Sequence, residues 1–248
     1  MRKKLVIGNW KMNGSLAQCR SMLPALAGLT VPNVDLVVAP PAVYLSEAAG
    51  LLAGRQLALA AQDVSAHVAG AHTGECAVPM LYELGCRYVL VGHSERRSAH
   101  GESDAVCLAK VKACLAGGLI PVLCVGETGI EREQLRTLEV LQRQLSGLQG
   151  MDRLASVVVA YEPVWAIGSG KAAAVRDIAE MHAFIRSLLR EYGDREQACR
   201  ILYGGSVTAR NAGEILRLKD VDGALVGGAS LSVDGFAAIY AQAVTSRS

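Results

Sequence analysis

Short apolar runs recur along the chain, separated by segments of helical periodicity or loop-like composition. Most of the runs are nearly continuous in Val, Ile, Leu and Ala, which is typical of strands that are buried on both faces. The pattern predicts eight strands, at residues 5–9, 34–39, 57–61, 88–92, 121–125, 157–161, 201–204 and 223–226.

Helical spacing appears between several of these runs. Apolar residues recur every three or four positions in two segments, and two others have helix-like composition. The first segment carries Leu135, Leu138, Leu141 and Leu145, the second Ile178, Met181, Ile185 and Leu188, and the other two helices are predicted at 102–116 and 209–218. Alternating strands and helices indicate a parallel sheet with crossover helices.

Eight strand–helix units in 248 residues have the size of an α/β (β/α)8 TIM barrel, here one domain over residues 1–248. The alternative is an open doubly wound sheet, which usually has fewer strands and a G-x-G-x-x-G turn after the first one. Asn-Trp-Lys-Met-Asn-Gly follows the first predicted strand instead, so the barrel is favoured.

Composition narrows the class of protein. Hydrophobic residues make up 51% of the chain and the formal net charge is +2, which predicts a large core and no nucleic-acid or membrane partner. No apolar run approaches the length of a membrane span. Seven scattered cysteines without a C-x-x-C pair indicate neither a metal site nor a disulfide framework, so we expect a reducing, cytoplasmic setting.

One connection, residues 62–77, is unusually long and has no helical period. Loops of this length in compact domains are generally functional or dock a partner. Its apolar residues Val64, Val68 and Ala71 favour a projecting interface loop, and a flexible surface insertion is the alternative.

The run 160–171 combines a carboxylate with a hinged loop. Glu162 leaves the strand 157–161, and Pro163 biases its backbone toward an extended conformation. Bulky Trp165 and Ile167 follow, and then the glycines of 168–170. Such a loop could close over the carboxylate and exclude water, although a plain strand end and turn would have the same local pattern.

Polar residues at other strand ends would meet Glu162 at one face of the barrel. His93 comes just after the fourth strand, where a short helix begins, and the positive end of that helix favours a neutral imidazole. Lys11, after the first strand, could neutralise an anion or form a Schiff base. A pairing with Glu95 would keep Lys11 charged and favours the electrostatic role.

Glycine-containing turns follow the sixth, seventh and eighth strands, and the loops after the seventh and eighth strands commonly form the phosphate site of these barrels. Ser206 adds a hydroxyl to the second of them. The sequence around Lys171 is not a Walker A motif, because Ala172 replaces Ser or Thr. The anion is therefore predicted to be a phosphate monoester on a small substrate.

Six motifs in chain order resemble the triosephosphate isomerase family, and they extend from Asn9 to Leu231. They are Asn-Trp-Lys at 9–11, Val-Gly-His-Ser-Glu-Arg-Arg at 91–97, Cys-Val-Gly-Glu at 124–127, the run 160–171, Tyr-Gly-Gly-Ser-Val at 203–207 and Leu-Val-Gly-Gly-Ala-Ser-Leu at 225–231. The resemblance implies interconversion of dihydroxyacetone phosphate and D-glyceraldehyde 3-phosphate through an enediol(ate), without metal or organic cofactor.

The resemblance also implies a role for individual residues. Glu162 matches the base, His93 the electrophile, Asn9 and Lys11 the groups that stabilise the anionic intermediate, and Glu95 the partner of Lys11. The residues that match substrate-binding positions are Asn9, Lys11, Gly168, Ser206, Gly227 and Gly228. The lid corresponds to Pro163, Val164, Trp165, Ala166, Ile167, Gly168, Ser169, Gly170 and Lys171. The contacts of a homodimer correspond to Thr73, Gly74, Glu75 and Arg96. Cys124 and Glu127 match residues that support the base and the lid.

The chain departs from the family pattern at a few positions. Ser169 stands where Thr is usual, Asp63 where Asn is common, and His72 where Phe is common. Ala174 and Val175 replace a usual Thr-Pro, so the helix after the lid lacks both a capping side chain and a proline at its first position. We expect its first residues to be frayed. Two other functions stay open from the residues alone: a Schiff-base aldolase or lyase using Lys11, and a non-catalytic binding barrel.

Overall fold

The structure is a computed structural model that describes residues 2–167 and 173–246. In these ranges eight strands form a closed barrel, in which each strand pairs in parallel with the next and β8 pairs with β1. The strands are β1 (Lys4–Asn9), β2 (Val34–Ala39), β3 (Ala58–Ala61), β4 (Cys86–Val91), β5 (Ile120–Val125), β6 (Val158–Tyr161), β7 (Arg200–Tyr203) and β8 (Gly223–Val226).

Helices occupy the connections between the strands. In the described ranges they are α1 (Leu16–Ala27), α2 (Leu45–Leu52), α3 (Val78–Glu83), α4 (Ser94–His100), α5 (Asp104–Ala116), α6 (Gly129–Glu133), α7 (Thr137–Leu145), α8 (Val175–Glu191), α9 (Ala212–Leu216) and α10 (Val233–Thr245). Short 3-10 turns add to them, among them Val164–Ala166 after β6 and Gly228–Leu231 after β8. The alternation of parallel strands and helices confirms the predicted (β/α)8 barrel.

The core has two layers, because successive strand side chains point to opposite faces of the sheet. Leu5 and Ile7 of β1 point into the barrel, whereas Val6 between them packs against the helices. The inner layer contains Leu5, Ile7, Val37, Ala39, Ala60, Tyr88, Leu90, Val122, Cys124, Val158, Ala160, Leu202 and Leu225. Both faces of each strand are therefore apolar, which explains the continuous hydrophobic runs of the sequence.

All eight predicted strands are present, with ends within two residues of the prediction. Two helix predictions were wrong in extent. Leu135 is not part of a helix that reaches Leu145: its φ is +59° and its side chain is 92% exposed, so it forms the break between α6 and α7. The helix predicted at 209–218 covers only Ala212–Leu216, because the Asn211 side chain accepts from the Thr208 backbone N–H and closes a turn there.

The long connection 62–77 contains neither helix nor strand, as its lack of period predicted. Its middle, residues 67–75, is exposed, and His67 stacks on His72 with ring centres 3.9 Å apart. The base of the connection is held by charge: Asp63 lies 2.7 Å from the Lys110 ammonium and 2.8 Å from the Arg96 guanidinium. The exposed part therefore projects from a fixed base.

The helix after the predicted lid starts without a side-chain cap. Ala174 occupies the N-cap position of α8 and supplies no cap hydrogen bond, and Asp177 is the acidic residue of the first turn. The missing cap is the one that the sequence predicts. Of the predicted lid, 163–167 is described, and Gly168, Ser169, Gly170 and Lys171 lie outside the described residues.

Candidate active site

Glu162 is held at the carboxyl end of β6 by the strands on either side. Its backbone N–H donates to the Val125 carbonyl of β5 over 2.7 Å. A Cβ at Gly126 would lie 1.8 Å from the Glu162 carbonyl oxygen, and a Cβ at Gly204 would lie 2.7 Å from its Cγ. Both positions need glycine because the Glu162 backbone and side chain pass so close, and the residue is only 2% exposed.

His93 and Glu162 meet across the barrel mouth. The His93 Nε2 atom lies 3.3 Å from Glu162 Oε1, and the Ser94 backbone N–H donates to Oε2 over 3.2 Å. At the start of α4 the His93 Nδ1 atom accepts from the Glu95 backbone N–H over 3.3 Å. Nδ1 is therefore placed as an acceptor, and this hydrogen bond favours the tautomer that has its proton on Nε2, facing Glu162.

Lys11 projects into the same region from a constrained backbone. Its φ of +52° is in the left-handed region, which costs a non-glycine residue about 1–2 kcal/mol. The Asn9 side-chain oxygen accepts from the Lys11 backbone N–H over 2.9 Å, and Gln62 Nε2 donates to the Lys11 carbonyl over 2.9 Å. The Lys11 ammonium lies 2.5 Å from Glu95 Oε1, so the predicted pairing is present.

A cavity of about 310 Å³ brings most of the predicted residues together. Its walls include Asn9, Lys11, His93, Glu162, Ser206, Gly227 and Gly228. The cation, the carboxylate–imidazole pair and the glycine-rich turns after β7 and β8 all line this one cavity. Gly168 lies outside the described residues, and Glu95 reaches the site through its contact with Lys11.

Glu127 anchors the segment that follows Glu162. It is fully buried, accepts from Trp165 Nε1 over 2.7 Å, and receives the Tyr161 hydroxyl at 3.2 Å. Burial raises the pKa of the Glu127 carboxyl, and the Trp165 and Tyr161 hydrogen bonds oppose that rise. Inside the barrel, burial and the nearby Glu162 carboxylate raise the pKa of the Cys124 thiol well above its usual value, so Cys124 stays protonated.

The residues predicted to contact a partner lie apart from the cavity. Thr73, Gly74 and Glu75 are exposed on the projecting loop. Arg96 binds within its own chain, with Nε 2.7 Å from Glu102 and Nη2 2.8 Å from Asp63. Arg96 therefore joins the base of the loop to the segment before α5.

Sequence reasoning missed several residues that shape the site. Gln62 follows β3, and only the structure shows that its side chain donates to the Lys11 carbonyl and so orients Lys11. Tyr161 is predicted only as the last residue of a strand, and no pattern in the sequence marks Arg132. Only their tertiary contacts with Glu127 and Trp165 reveal them.

Two further findings concern ligands and membranes. Within residues 2–167 and 173–246, no group of three or more His, Cys, Asp or Glu side chains could hold a metal ion. Among the helices that the structure describes, none is long and apolar enough to cross a bilayer.

Known proteins are similar to this chain in sequence and in architecture. The family profile described as "Triosephosphate isomerase" matches residues 4–243. The chain is 52% identical to the triosephosphate isomerase of Dechloromonas aromatica, over 96% of this chain and 98% of that protein. It is 49% identical to that of Paracidovorax citrulli, over 98% and 99% of the two chains. A crystal structure of triosephosphate isomerase from Bartonella henselae superposes with a TM-score of 0.90 at 39% identity, covering 97% of this chain and 98% of that one. The chain belongs to the triosephosphate isomerase family.

Proposed function

We propose that this protein is an aldose–ketose isomerase that interconverts dihydroxyacetone phosphate and D-glyceraldehyde 3-phosphate, a reaction of glycolysis and gluconeogenesis. The observation that carries the proposal is the pair formed by Glu162 and the His93 Nε2 atom, 3.3 Å apart in a cavity that also holds the Lys11 ammonium. A base, a hydrogen-bond donor and a cation are the three groups that an enediolate reaction requires.

Glu162 acts as the base. Its carboxylate removes a proton from C1 of dihydroxyacetone phosphate, and the electron pair of that C–H bond forms the double bond of an enediolate. As this double bond forms, the carbonyl π electrons move to O2. A proton then passes from the O1 hydroxyl to O2, and the protonated Glu162 carboxyl returns its proton to C2, which leaves an aldehyde at C1. The burial of Glu162 keeps bulk water away from the carboxylate and from the reacting carbons.

His93 and Lys11 stabilise the negative charge that develops on the substrate oxygens. The His93 Nε2–H, fixed by the Glu95 contact at Nδ1, donates to the carbonyl and enediolate oxygens. The Lys11 ammonium and the Asn9 side chain contribute further charge and donor groups at the same oxygens. Glu95 keeps the Lys11 ammonium in place.

The phosphate end of the substrate lies against Ser206, Gly227 and Gly228, with Gly168 contributing from the lid. Glycine-rich turns suit this role because their backbone N–H groups can approach a phosphate closely. Binding energy from the unreactive phosphate then helps to hold the lid over the reactive carbons. Exclusion of water also protects the enediol phosphate from losing its phosphate.

A Schiff-base aldolase or lyase is the alternative enzyme, and the Lys11–Glu95 distance of 2.5 Å argues against it because the pairing keeps the ammonium charged. Borohydride reduction in the presence of substrate is expected to leave the chain unmodified. A non-catalytic binding barrel is the third possibility, and it has no need of a base, an electrophile and a cation together.

The assembly that we propose is a homodimer of single-domain chains in the cytoplasm. The exposed segment 67–75 carries Thr73, Gly74 and Glu75, and Arg96 steadies its base. A groove beside Lys11 and Met12, whose side chain is 95% exposed, could receive the same segment from a second copy. Sedimentation velocity is expected to give the mass of two chains, and a monomer at micromolar concentration would contradict this proposal.

A coupled isomerase assay on the wild type and Glu162→Gln tests the function. The substitution keeps the size of the side chain and removes the base, so kcat is expected to fall by roughly 10²–10⁴-fold. The control is Glu133→Gln, which removes one exposed carboxylate from α6 and leaves the cavity intact. Equal activity of Glu162→Gln and the wild type would refute the mechanism, and an inactive wild type would refute the function.

A further inference from the structure

Arg132, in the short helix α6, contacts three groups around the segment that follows Glu162. Its guanidinium carbon lies 4.3 Å from the centre of the Trp165 ring. Its Nη1 atom lies 3.7 Å from Glu127 Oε1, and its Nη2 atom is hydrogen-bonded to the Asp177 carboxylate. One cation therefore joins a ring, a buried carboxylate and the first turn of α8.

These contacts reach the first part of the predicted lid and the helix that follows it. Trp165 belongs to the 3-10 turn Val164–Ala166, which begins two residues after Glu162. The turn is tied to Glu127 twice, through Trp165 Nε1 at 2.7 Å and through the Val164 backbone N–H, which donates to the Glu127 carbonyl over 3.0 Å. On the far side, Asp177 belongs to the uncapped start of α8. Arg132 thus connects the first part of the lid to the start of α8 through side-chain contacts.

The charge of Arg132 also acts on Glu127, which is fully buried. Burial, as the main cause, raises the pKa of that carboxyl, and the nearby guanidinium opposes the rise. Of the nearby titratable groups, Tyr161 on β6 donates to Glu127, and Tyr203 on β7 is close enough for the Glu127 charge to raise its pKa. His182 on α8 lies behind them, with its ring centre 6.0 Å from that of Tyr161. None of them supplies a positive charge in place of Arg132, because burial lowers the pKa of His182 to about 4.

We propose that Arg132 is a positioning residue for the reaction: by stacking on Trp165 and pairing with Glu127 and Asp177, it holds the turn Val164–Ala166 in the geometry that places Glu162 against the substrate. The proposal rests on the proposed role of Glu162 as base. It assigns no contact between Arg132 and the substrate, so its effect passes through Glu127 and Trp165.

Removing the guanidinium would leave Glu127 buried without its cation, and a buried charge whose partner is lost is strongly disfavoured. The carboxyl then takes up a proton at higher pH. A protonated Glu127 is a weaker acceptor for the indole N–H, so the turn loosens. Small displacements of a base cost catalysis more than binding, and a 1 Å error can cost on the order of 100-fold.

The test uses Arg132→Gln, Arg132→Lys and a matched control, Arg136→Gln. Lysine keeps the positive charge but lacks the planar guanidinium that stacks on the ring. Arg136→Gln removes one positive charge from the next segment, where Arg136 pairs with Glu139 on the surface. All three proteins are compared by kcat, by KM, and by the dependence of kcat on pH.

A second measurement follows the Trp165 indole directly. The chain has two tryptophans, so a 15N-labelled sample has two indole N–H signals, and the one missing from Trp165→Phe belongs to Trp165. Its chemical shift reports the hydrogen bond to Glu127 without any need for activity. This measurement separates failure of the positioning role from failure of the isomerase function.

For Arg132→Gln we expect kcat to fall roughly 10–100-fold with a much smaller change in KM. We also expect the pH dependence of the Trp165 signal, which follows the ionisation of Glu127, to lie at higher pH than in the wild type. Arg132→Lys should keep the wild-type pH dependence of this signal and recover part of kcat, and Arg136→Gln should match the wild type in both. The proposal is overturned if Arg132→Gln has the kcat of Arg136→Gln, or if its Trp165 signal has the same pH dependence as that of the wild type.

Discussion

The two ends of the barrel use buried charge in opposite ways. At the amino-terminal end, Asp222 accepts from Arg186 over 2.5 Å, from Arg2 over 2.6 Å and from the Ile201 backbone N–H over 2.8 Å. At the carboxyl end, Glu162 lies 3.3 Å from the His93 Nε2 atom, accepts from the Ser94 backbone N–H, and faces a cavity.

The same contrast appears in a second carboxylate of the amino-terminal end. Asp35 lies 2.5 Å from the Lys3 ammonium and 2.8 Å from the Arg200 guanidinium. Burial raises the pKa of Asp35, but the hydrogen bonds from these two cations outweigh it and the net pKa is lowered. Carboxylates whose oxygens are fully hydrogen-bonded within the chain stabilise the fold. A carboxylate with fewer hydrogen-bond partners keeps hydrogen-bonding capacity for a substrate.

The largest expected effect is at the carboxyl end. Lys11→Met should lower kcat/KM by roughly 10²–10³-fold, because it removes a charge that stabilises the developing oxyanion. The midpoint of thermal unfolding should hardly change, since the Lys11 side chain is partly exposed. Lys3→Met, which removes a cation from the opposite end, is the control. Equal activity loss in the two variants would break the comparison.

Asp222→Ala should do the reverse. It leaves the guanidinium of Arg186, which is 6% exposed, without its closest carboxylate, and such a loss typically costs about 3–5 kcal/mol of unfolding free energy. Urea unfolding measures this cost, and kcat per folded molecule should stay unchanged. Asp152→Ala, at an exposed turn, is the matched control. A loss of kcat without a loss of stability would contradict the assignment.

His182 contacts the amino-terminal end of the barrel but is an exception there, because its buried ring is not fully hydrogen-bonded. It makes the free energy of unfolding depend on pH. Its Nδ1 atom lies 3.2 Å from the Asp220 carbonyl, and Nε2 has no hydrogen-bond partner among the described residues. Burial lowers its pKa from 6.5 to about 4, so between these values the unfolded chain binds more protons than the folded one. The contribution of His182 to the unfolding free energy is fully present above about pH 6.5. It falls by about 3 kcal/mol as the pH drops to about 4.

His182→Gln tests this dependence, because glutamine can still donate to the Asp220 carbonyl and does not titrate. Urea unfolding at several pH values should show a shallower loss of stability for the variant than for the wild type between about pH 6.5 and 4. Parallel curves for the two proteins would show that another group is responsible.

The smallest expected effect is at the start of α8, near the active end. Ala174→Ser introduces a capping oxygen and should raise the unfolding free energy by about 1 kcal/mol. Ser103→Ala is the reverse control, since Ser103 caps α5 by accepting from the Val106 backbone N–H. It should lose a similar amount. A gain in stability from Ala174→Ser accompanied by a large fall in kcat would mean that the uncapped start serves the reaction.

Much of the site could be predicted because the barrel brings strand ends together. Once eight parallel strands are inferred, Asn9, Lys11, His93 and Glu162 must lie at one face, whatever their separation in sequence. The pairing of Lys11 with Glu95 also follows from this rule. The break at Leu135 could not be predicted, because a leucine spacing of three or four residues is the same whether or not the backbone stays helical between them.

The sequence by itself determined the order of strands and helices, the two-sided burial of the strands, and the set of chemical groups at the barrel mouth. These follow from local hydrophobic pattern and chain order, which do not depend on distant contacts. Only the tertiary structure decided which groups support the reactive ones. Gln62 donates to the Lys11 carbonyl, and Arg132 and Glu127 contact the turn after Glu162. Such contacts join side chains from different strand–helix units, and their distances depend on the packing of the whole barrel.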